Sequence, residues 1–64
     1  MIFNGQQIKL KKEISVSKFL RKEKFCTSRI AIEKNGVIVP KKLFNTEMLS
    51  DSDIIEIVHF VGGG

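Results

Sequence analysis

The chain ends in three consecutive glycines, Gly62-Gly63-Gly64, and this end is the part of the sequence best suited to chemistry. Glycine has no Cβ, so such a segment is thin and flexible, and its backbone can enter a tunnel too narrow for any side chain. The final carboxylate is a poor electrophile, because attack on it must expel oxide. A mixed anhydride with AMP would supply a leaving group, after which a sulfur nucleophile could form a thiocarboxylate.

Glycine tails are also common at frayed chain ends and in expression scars, where they have no function. The position of this tail argues for a function. Residues 54–61 form the longest apolar run of the chain and lead directly into Gly62 without a linker.

Two other side chains, those of Cys26 and His59, have reactive groups. A persulfide relay through Cys26 would need an exposed thiol with a lowered pKa. A free cysteine is more often a small buried hydrophobe, so we expect Cys26 to be buried. His59 would share a face with Ile55 and Ile57, and as a general base it would need a partner that the sequence does not identify. We therefore interpret His59 as a residue at the end of a strand, near the tail.

The composition limits the class of protein. The chain has 64 residues, a formal net charge of +4, one cysteine and one histidine. This length allows one domain with a thin core. An internal disulfide and a zinc site both need more cysteine or histidine, so we expect a cytoplasmic protein. No apolar run reaches the roughly 18 residues of a membrane helix, and residues 1–10 do not resemble a signal peptide.

The positive charge is concentrated in residues 9–24. This concentration could suit an acidic partner surface or nucleic acid. It is also typical of a soluble lysine-rich protein, which is the interpretation we favour.

Two Asn-Gly pairs, Asn4-Gly5 and Asn35-Gly36, each lie between two short apolar runs. They predict two β-hairpins, because a type I′ turn needs positive φ at both central residues. Pro40 cannot donate to a ladder and should end the second hairpin. The predicted strands are residues 1–3, 6–10, 30–33, 37–39 and 54–61, the last being central.

A helical period separates the two hairpins. Val16, Phe19 and Leu20 fall on one helical stripe, so we predict a helix with Ser15 as its N-cap, ending near Lys24.

The residues after Pro40 and the last strand should complete the core. Residues 41–49 are predicted to be irregular. On the last strand Ile55 and Ile57 should face the core, because Glu56 lies on the other face. Val58 and Phe60 would then be exposed near the tail, where apolar side chains often mark a docking surface. The residues of the irregular segment available to close the core are Leu43, Phe44, Met48 and Leu49.

These elements predict an α+β domain in which one helix covers one face of a small mixed sheet. Their order suits the β-grasp fold of ubiquitin-like proteins. We expect residues 1–61 to form this domain and residues 62–64 to form a flexible tail.

Over essentially its whole length the chain resembles the family of thiamine-biosynthesis sulfur carriers (ThiS), which are ubiquitin-like β-grasp proteins. The order of the motifs, the length and the glycine ending together are more specific than any one motif. The segments that carry the resemblance are Asn4-Gly5, Ser15-Val16, Phe19-Leu20, residues 35–40, Asp51-Ser52-Asp53 and Phe60-Val61-Gly62-Gly63-Gly64.

The resemblance implies a protein co-substrate and not an enzyme. An ATP-dependent activating enzyme would adenylate Gly64, a sulfur donor protein would supply sulfur, and thiazole synthase would receive it from the thiocarboxylate. Gly63 would be the second residue of the diglycine, with Gly62 as a small flanking residue. The carrier itself would bind no cofactor, since the ATP is used by the activating partner. The chain departs from the family at Ser52 and Lys18, which should affect local stability more than chemistry.

Two other functions compete with this one. The small subunit of molybdopterin synthase also ends in Gly-Gly, but such proteins are typically longer. A small basic nucleic-acid-binding module would need aromatic residues interleaved with lysines on an open sheet face. Three of the phenylalanines, Phe3, Phe19 and Phe25, are explained by core packing, so we expect no nucleic-acid partner.

Overall fold

The computed structural model of the protein describes residues 1–59. Within them the chain forms one α-helix, α1 (Val16–Lys22), and short 3₁₀ turns at Thr27–Arg29 and Lys41–Leu43. The strands are β1 (Ile2–Phe3), β2 (Gln6–Gln7), β3 (Ile14–Ser15), β4 (Ile30–Lys34), β5 (Val37–Ile38), β6 (Met48–Leu49) and β7 (Ile54–His59).

The main sheet has five strands in the order β2-β1-β7-β4-β5, so the last strand is central, as the sequence predicts. β1 runs parallel to β7, and the other neighbouring strands are antiparallel. One helix packs on one face of this mixed sheet. The predicted β-grasp architecture is therefore confirmed.

Both Asn-Gly pairs form the predicted turns. Asn4 and Gly5 have φ of 48° and 84°, and Asn35 and Gly36 have φ of 53° and 84°. Positive φ at both central residues is the signature of the type I′ turn, whose twist matches that of the flanking strands.

The helix begins as predicted and ends earlier. The Ser15 hydroxyl accepts a hydrogen bond from the Lys18 backbone N–H at 3.2 Å and so caps the first turn. The helix ends at Lys22 because Lys24 adopts a left-handed conformation, with φ of 63°. The N–H of Phe25 then reaches back to the carbonyl of Leu20 at 2.9 Å, which closes the helix in a Schellman-type cap.

Two aromatic rings, those of Phe3 and Phe19, lie in the core, and the partly buried ring of Phe25 packs against it. Phe3 meets Phe19 edge to face with 5.0 Å between ring centroids, and Phe25 meets Phe3 in the same way at 5.8 Å. Such pairs contribute about 0.5–1.5 kcal/mol beyond their buried area. The fully buried aliphatic side chains around them are Val16, Leu20, Ile30, Ile32, Leu49 and Ile55.

Residues 41–49 are more ordered than the sequence predicts. β3 and β6 form a second, two-stranded sheet. Phe44 and Leu49 are buried as expected, whereas the predictions for Leu43 and Met48 are wrong, because these side chains are 38% and 41% exposed. Met48 precedes Leu49 on β6, and adjacent residues of a strand face opposite sides, so only one of the two can reach the core.

Lys34 joins the two sheets at the edge of the core. Its ammonium group, on β4, donates to the Glu47 carboxylate and to the Met48 carbonyl, each at 2.8 Å. The hydrogen bond to Glu47 raises the pKa of Lys34.

No helix within residues 1–59 is both long and apolar enough to cross a bilayer.

Candidate functional site

The strand that leads to the glycine tail is held on both sides. β7 pairs with β1 at Ile2–Ile54 and Phe3–Ile55, and with β4 from Ile55 to His59. His59, the last described residue, is still paired with Ile30. The predicted sulfur-carrying residue Gly64 and the tail residues Gly62 and Gly63 lie outside the described residues. In the sequence these residues follow β7, the central strand of the main sheet.

Two asparagine side chains add hydrogen bonds to this strand. The side-chain carbonyl of Asn4 accepts from the N–H of Ile57 at 2.7 Å, and that of Asn35 accepts from the N–H of Ile54 at 2.8 Å. The sequence predicts both asparagines as turn residues. It does not predict their hydrogen bonds to β7, because these depend on how distant strands pair.

The face of the main sheet opposite the helix carries an apolar patch. Along β7 the side chains alternate as predicted: Ile55 and Ile57 are buried, and Ile54 and Val58 are 49% and 51% exposed. Ile2 of β1 lies directly beside Ile54 and is 39% exposed. We call Ile2, Ile54 and Val58 the open-face patch. Phe60, the other predicted docking residue, lies outside the described residues.

Two acidic residues lie on the same open face. Glu33 of β4 and Glu56 of β7 are directly opposite each other in the antiparallel register. Within residues 1–59 the ion pairs involve Lys34 and the amino group of Met1, so neither glutamate has a cationic partner there. This pair was not predicted, because only the strand register brings the two residues together.

His59 lies at the strand end where the sequence places it. Its ring is exposed, and its centroid is 5.5 Å from that of Phe25. The described residues provide no hydrogen bond to its imidazole that would orient it as a general base.

Among residues 1–59, no group of three His, Cys, Asp or Glu side chains is arranged to hold a metal ion.

Cys26 is exposed, so the prediction that it is buried is wrong. Phe25 turns into the core, and Cys26 then begins the 3₁₀ turn at the surface. Its Sγ lies 3.1 Å from the Ser28 hydroxyl. Hydrogen bonds from the side chain and backbone of Ser28 lower the pKa of the Cys26 thiol. The single thiol is therefore accessible to solvent.

Comparison with known proteins gives matches over the whole chain. The sequence model of the ThiS family matches residues 1–64. The sulfur carrier protein ThiS of Bacillus subtilis (strain 168) is 37% identical over 62 residues, which are 95% of this chain and 94% of that protein. The uncharacterized protein ycf40 of Pyropia yezoensis is 36% identical over 61 residues, which are 95% of this chain and 86% of that protein.

A larger protein and a solved structure are also similar. A thiazole synthase of Paramagnetospirillum magneticum is 31% identical over 64 residues, covering all of this chain and 20% of that protein. The crystal structure of the thiamine biosynthesis protein ThiS from Geobacter metallireducens superposes with a TM-score of 0.86 at 24% identity, covering 98% of this chain and 96% of that one. At this identity the structural likeness supports the fold alone.

Proposed function

This chain belongs to the ThiS family and is a sulfur carrier of thiamine biosynthesis, and we propose that it carries the sulfur as a thiocarboxylate on Gly64. The observation that carries the proposal is the family match over residues 1–64, which includes the three glycines. The firm pairing of β7 up to His59 supports it, because a reactive end needs a fixed base.

The proposed chemistry has two steps. A carboxylate oxygen of Gly64 attacks the α-phosphorus of ATP on an activating enzyme, and pyrophosphate leaves. A sulfur nucleophile at the oxidation level of sulfide then attacks the acyl carbon, and AMP leaves. Because glycine carries no side chain, nothing hinders approach to the carbonyl. The chain acts here as a protein co-substrate, and the activating enzyme supplies the catalysis.

We propose thiazole synthase as the partner that takes the sulfur. The support is that one thiazole synthase contains a segment similar to this entire chain. Two functions that occur within one polypeptide in one organism often belong to partner proteins in another. We also propose an activating enzyme, which would catalyse the adenylation, and a sulfur donor protein, which would supply the sulfur nucleophile.

The open-face patch is the surface we propose for docking these partners. Its side chains are apolar and exposed, and two of them, Ile54 and Val58, belong to β7, the strand that precedes the tail in the sequence. Val58→Ala combined with Phe60→Ala should weaken binding of the activating enzyme while the fold is kept. Val37→Ala is a matched control, because Val37 is 68% exposed on β5 at the sheet edge. Equal binding by both variants would remove the patch from the proposal.

The decisive experiment is an intact-mass measurement. The protein is incubated with ATP, a sulfur source and the soluble extract of its host, and the C-terminal peptide is then sequenced. Conversion predicts a mass gain equal to sulfur replacing one oxygen, located at Gly64 and dependent on ATP. Deletion of Gly64 should leave the fold intact and abolish the gain.

The exposed thiol of Cys26 requires a control. A persulfide on Cys26 would add a whole sulfur atom, would be removed by a thiol reductant and would be lost in Cys26→Ser. The thiocarboxylate should form normally in that variant. Loss of the mass gain in Cys26→Ser would overturn the assignment of the sulfur to Gly64. Near-normal sulfur transfer by the chain lacking Gly64 would overturn it as well.

A further inference from the structure

A shallow groove of about 800 Å³ lies between residues 9–14 and helix α1, with Met48 on its third side. None of its lining residues belongs to the five-stranded sheet. We call it the basic groove, because its charged lining consists of one glutamate, Glu13, and five lysines: Lys9, Lys11, Lys12, Lys18 and Lys22.

The groove accounts for the net charge of the whole protein. Five lysines and one glutamate give the groove a net charge of +4, and the chain as a whole also carries +4, so its other six basic and six acidic residues cancel. Within residues 1–59 the ion pairs use Lys34 and the amino group of Met1, and none includes a groove lysine. The groove therefore carries a positive charge equal to the net charge of the chain, and this charge attracts anionic groups.

The arrangement of these lysines costs local stability. Lys18 lies in the first turn of α1, which contains no acidic residue, although the helix dipole favours negative charge there. Lys18 and Lys22 are four residues apart, and like charges at this spacing repel. Residues that weaken the local structure without an internal compensation are expected at functional surfaces.

The rest of the lining indicates the kind of ligand. Leu10 and Ile14 are half-buried and Met48 is 41% exposed, so the groove has an apolar floor beneath its charged rim. Its described lining contains neither aromatic rings, on which nucleic-acid bases stack, nor arginines, which grip phosphate with two hydrogen bonds. We propose that the basic groove binds an acidic segment of a partner protein, one that carries carboxylates and at least one apolar side chain.

None of the groove's lining residues belongs to β7 or to the open-face patch. A segment that contacts only the groove lining therefore leaves the residues of β7 free for a second contact. The proposal does not rest on the chemistry at Gly64, because binding to the groove is measured directly.

The test uses the full chain and a fluorescein-labelled peptide of glutamates interrupted by single leucines. Fluorescence anisotropy should show binding that weakens as salt is added. The same peptide with glutamine in place of glutamate should not bind. Chemical-shift changes on ¹⁵N-labelled protein should cluster at residues 9–14, Lys18 and Lys22.

Charge-matched variants separate the groove from the general charge of the protein. Lys18→Gln with Lys22→Gln should lower the peptide affinity about fivefold. These changes relieve repulsion within α1, so loss of the fold is not expected. Lys41→Gln with Lys42→Gln removes the same charge outside the groove and should change the affinity less than about twofold.

Three results would overturn the proposal. The first is equal weakening by the two lysine pairs, which would mean general electrostatic attraction. The second is absence of binding, or shift changes located outside the groove. The third is tighter binding of single-stranded oligothymidine than of the acidic peptide, which would assign the groove to nucleic acid.

Discussion

The side-chain carbonyl of Asn4 accepts a hydrogen bond from the backbone N–H of Ile57, with 2.7 Å between the two atoms. The backbone of Asn4 forms the first turn with φ of 48°. β1 pairs with β7 only at Ile2 and Phe3, and the Asn4 amide continues the ladder beyond the point where β1 turns away. One residue thus forms a turn and holds the strand that leads to the tail.

Substitutions at Asn4 can separate these two roles. Asn4→Gly permits the positive φ but leaves the Ile57 N–H without its acceptor, so we expect a loss of about 1–3 kcal/mol in the free energy of unfolding. Asn4→Asp keeps an acceptor oxygen and tolerates the left-handed conformation, so it should remain closer to wild type. Urea unfolding of both variants provides the measurement. A glycine variant as stable as wild type would show that the hydrogen bond to Ile57 is dispensable.

The same Asn→Asp change at Asn35 should have a larger effect. Asn35 accepts from the N–H of Ile54 at 2.8 Å and also donates its amide N–H to the Asp53 carboxylate at 3.0 Å. An aspartate at this position loses the donor and places a second negative charge beside Asp53. We therefore expect Asn35→Asp to lower the urea midpoint well below that of Asn4→Asp. Equal midpoints would mean that the bond to Asp53 does not stabilise the fold.

The sequence predicts both turns and fails to predict both contacts to β7, for one physical reason. A type I′ turn is a local structure, and Asn-Gly alone favours it. The contact between Asn4 and Ile57 joins residues 53 apart, and it forms only because β1 runs parallel to the last strand. The role of each asparagine in the strand ladder therefore appears only in the assembled sheet.

The same difference between local patterns and long-range pairing separates the other confirmed predictions from the elements that were not predicted. The stripe of Val16, Phe19 and Leu20 and the alternation along β7 are long enough to define a buried face, and both predictions are confirmed. β3 and β6 have two residues each, too few to show a period, and they were missed. The sequence also does not show that five of the lysines at residues 9–24 line one groove, because that depends on how residues 9–14 pack beside α1.

Acid should destabilise the protein through Asp53. Burial opposes ionisation of this carboxyl, but hydrogen bonds from Asn35 and Ser50 and the charge of Lys34 outweigh it, so the pKa of Asp53 is lowered. A lowered pKa in the folded state contributes stability at pH values above the ordinary 3.8, and this contribution is lost as the pH falls through the folded value. The free energy of unfolding should therefore decline as the pH falls below about 4.

Asp53→Asn identifies the group responsible. Asparagine has one acceptor oxygen, whereas the Asp53 carboxylate accepts from Asn35 through one oxygen and from the Ser50 N–H through the other. The variant should be less stable than wild type at neutral pH by about 1–3 kcal/mol. The difference should shrink in acid, where wild-type Asp53 also loses its charge. Denaturant unfolding across a pH series checks this, and a difference that is constant with pH would assign the acid sensitivity to other groups.

Removal of either member of the Glu33–Glu56 pair should stabilise the protein. The two glutamates are directly opposite across β4 and β7, and like charges in this position repel. Glu56→Gln or Glu33→Gln alone should raise the free energy of unfolding by about 0.5 kcal/mol, with a smaller gain in high salt. The double variant should gain little more than either single one, because the repulsion is already gone after the first change. Additive gains in this double-mutant cycle would mean that each substitution acts independently and that the two carboxylates do not repel each other measurably.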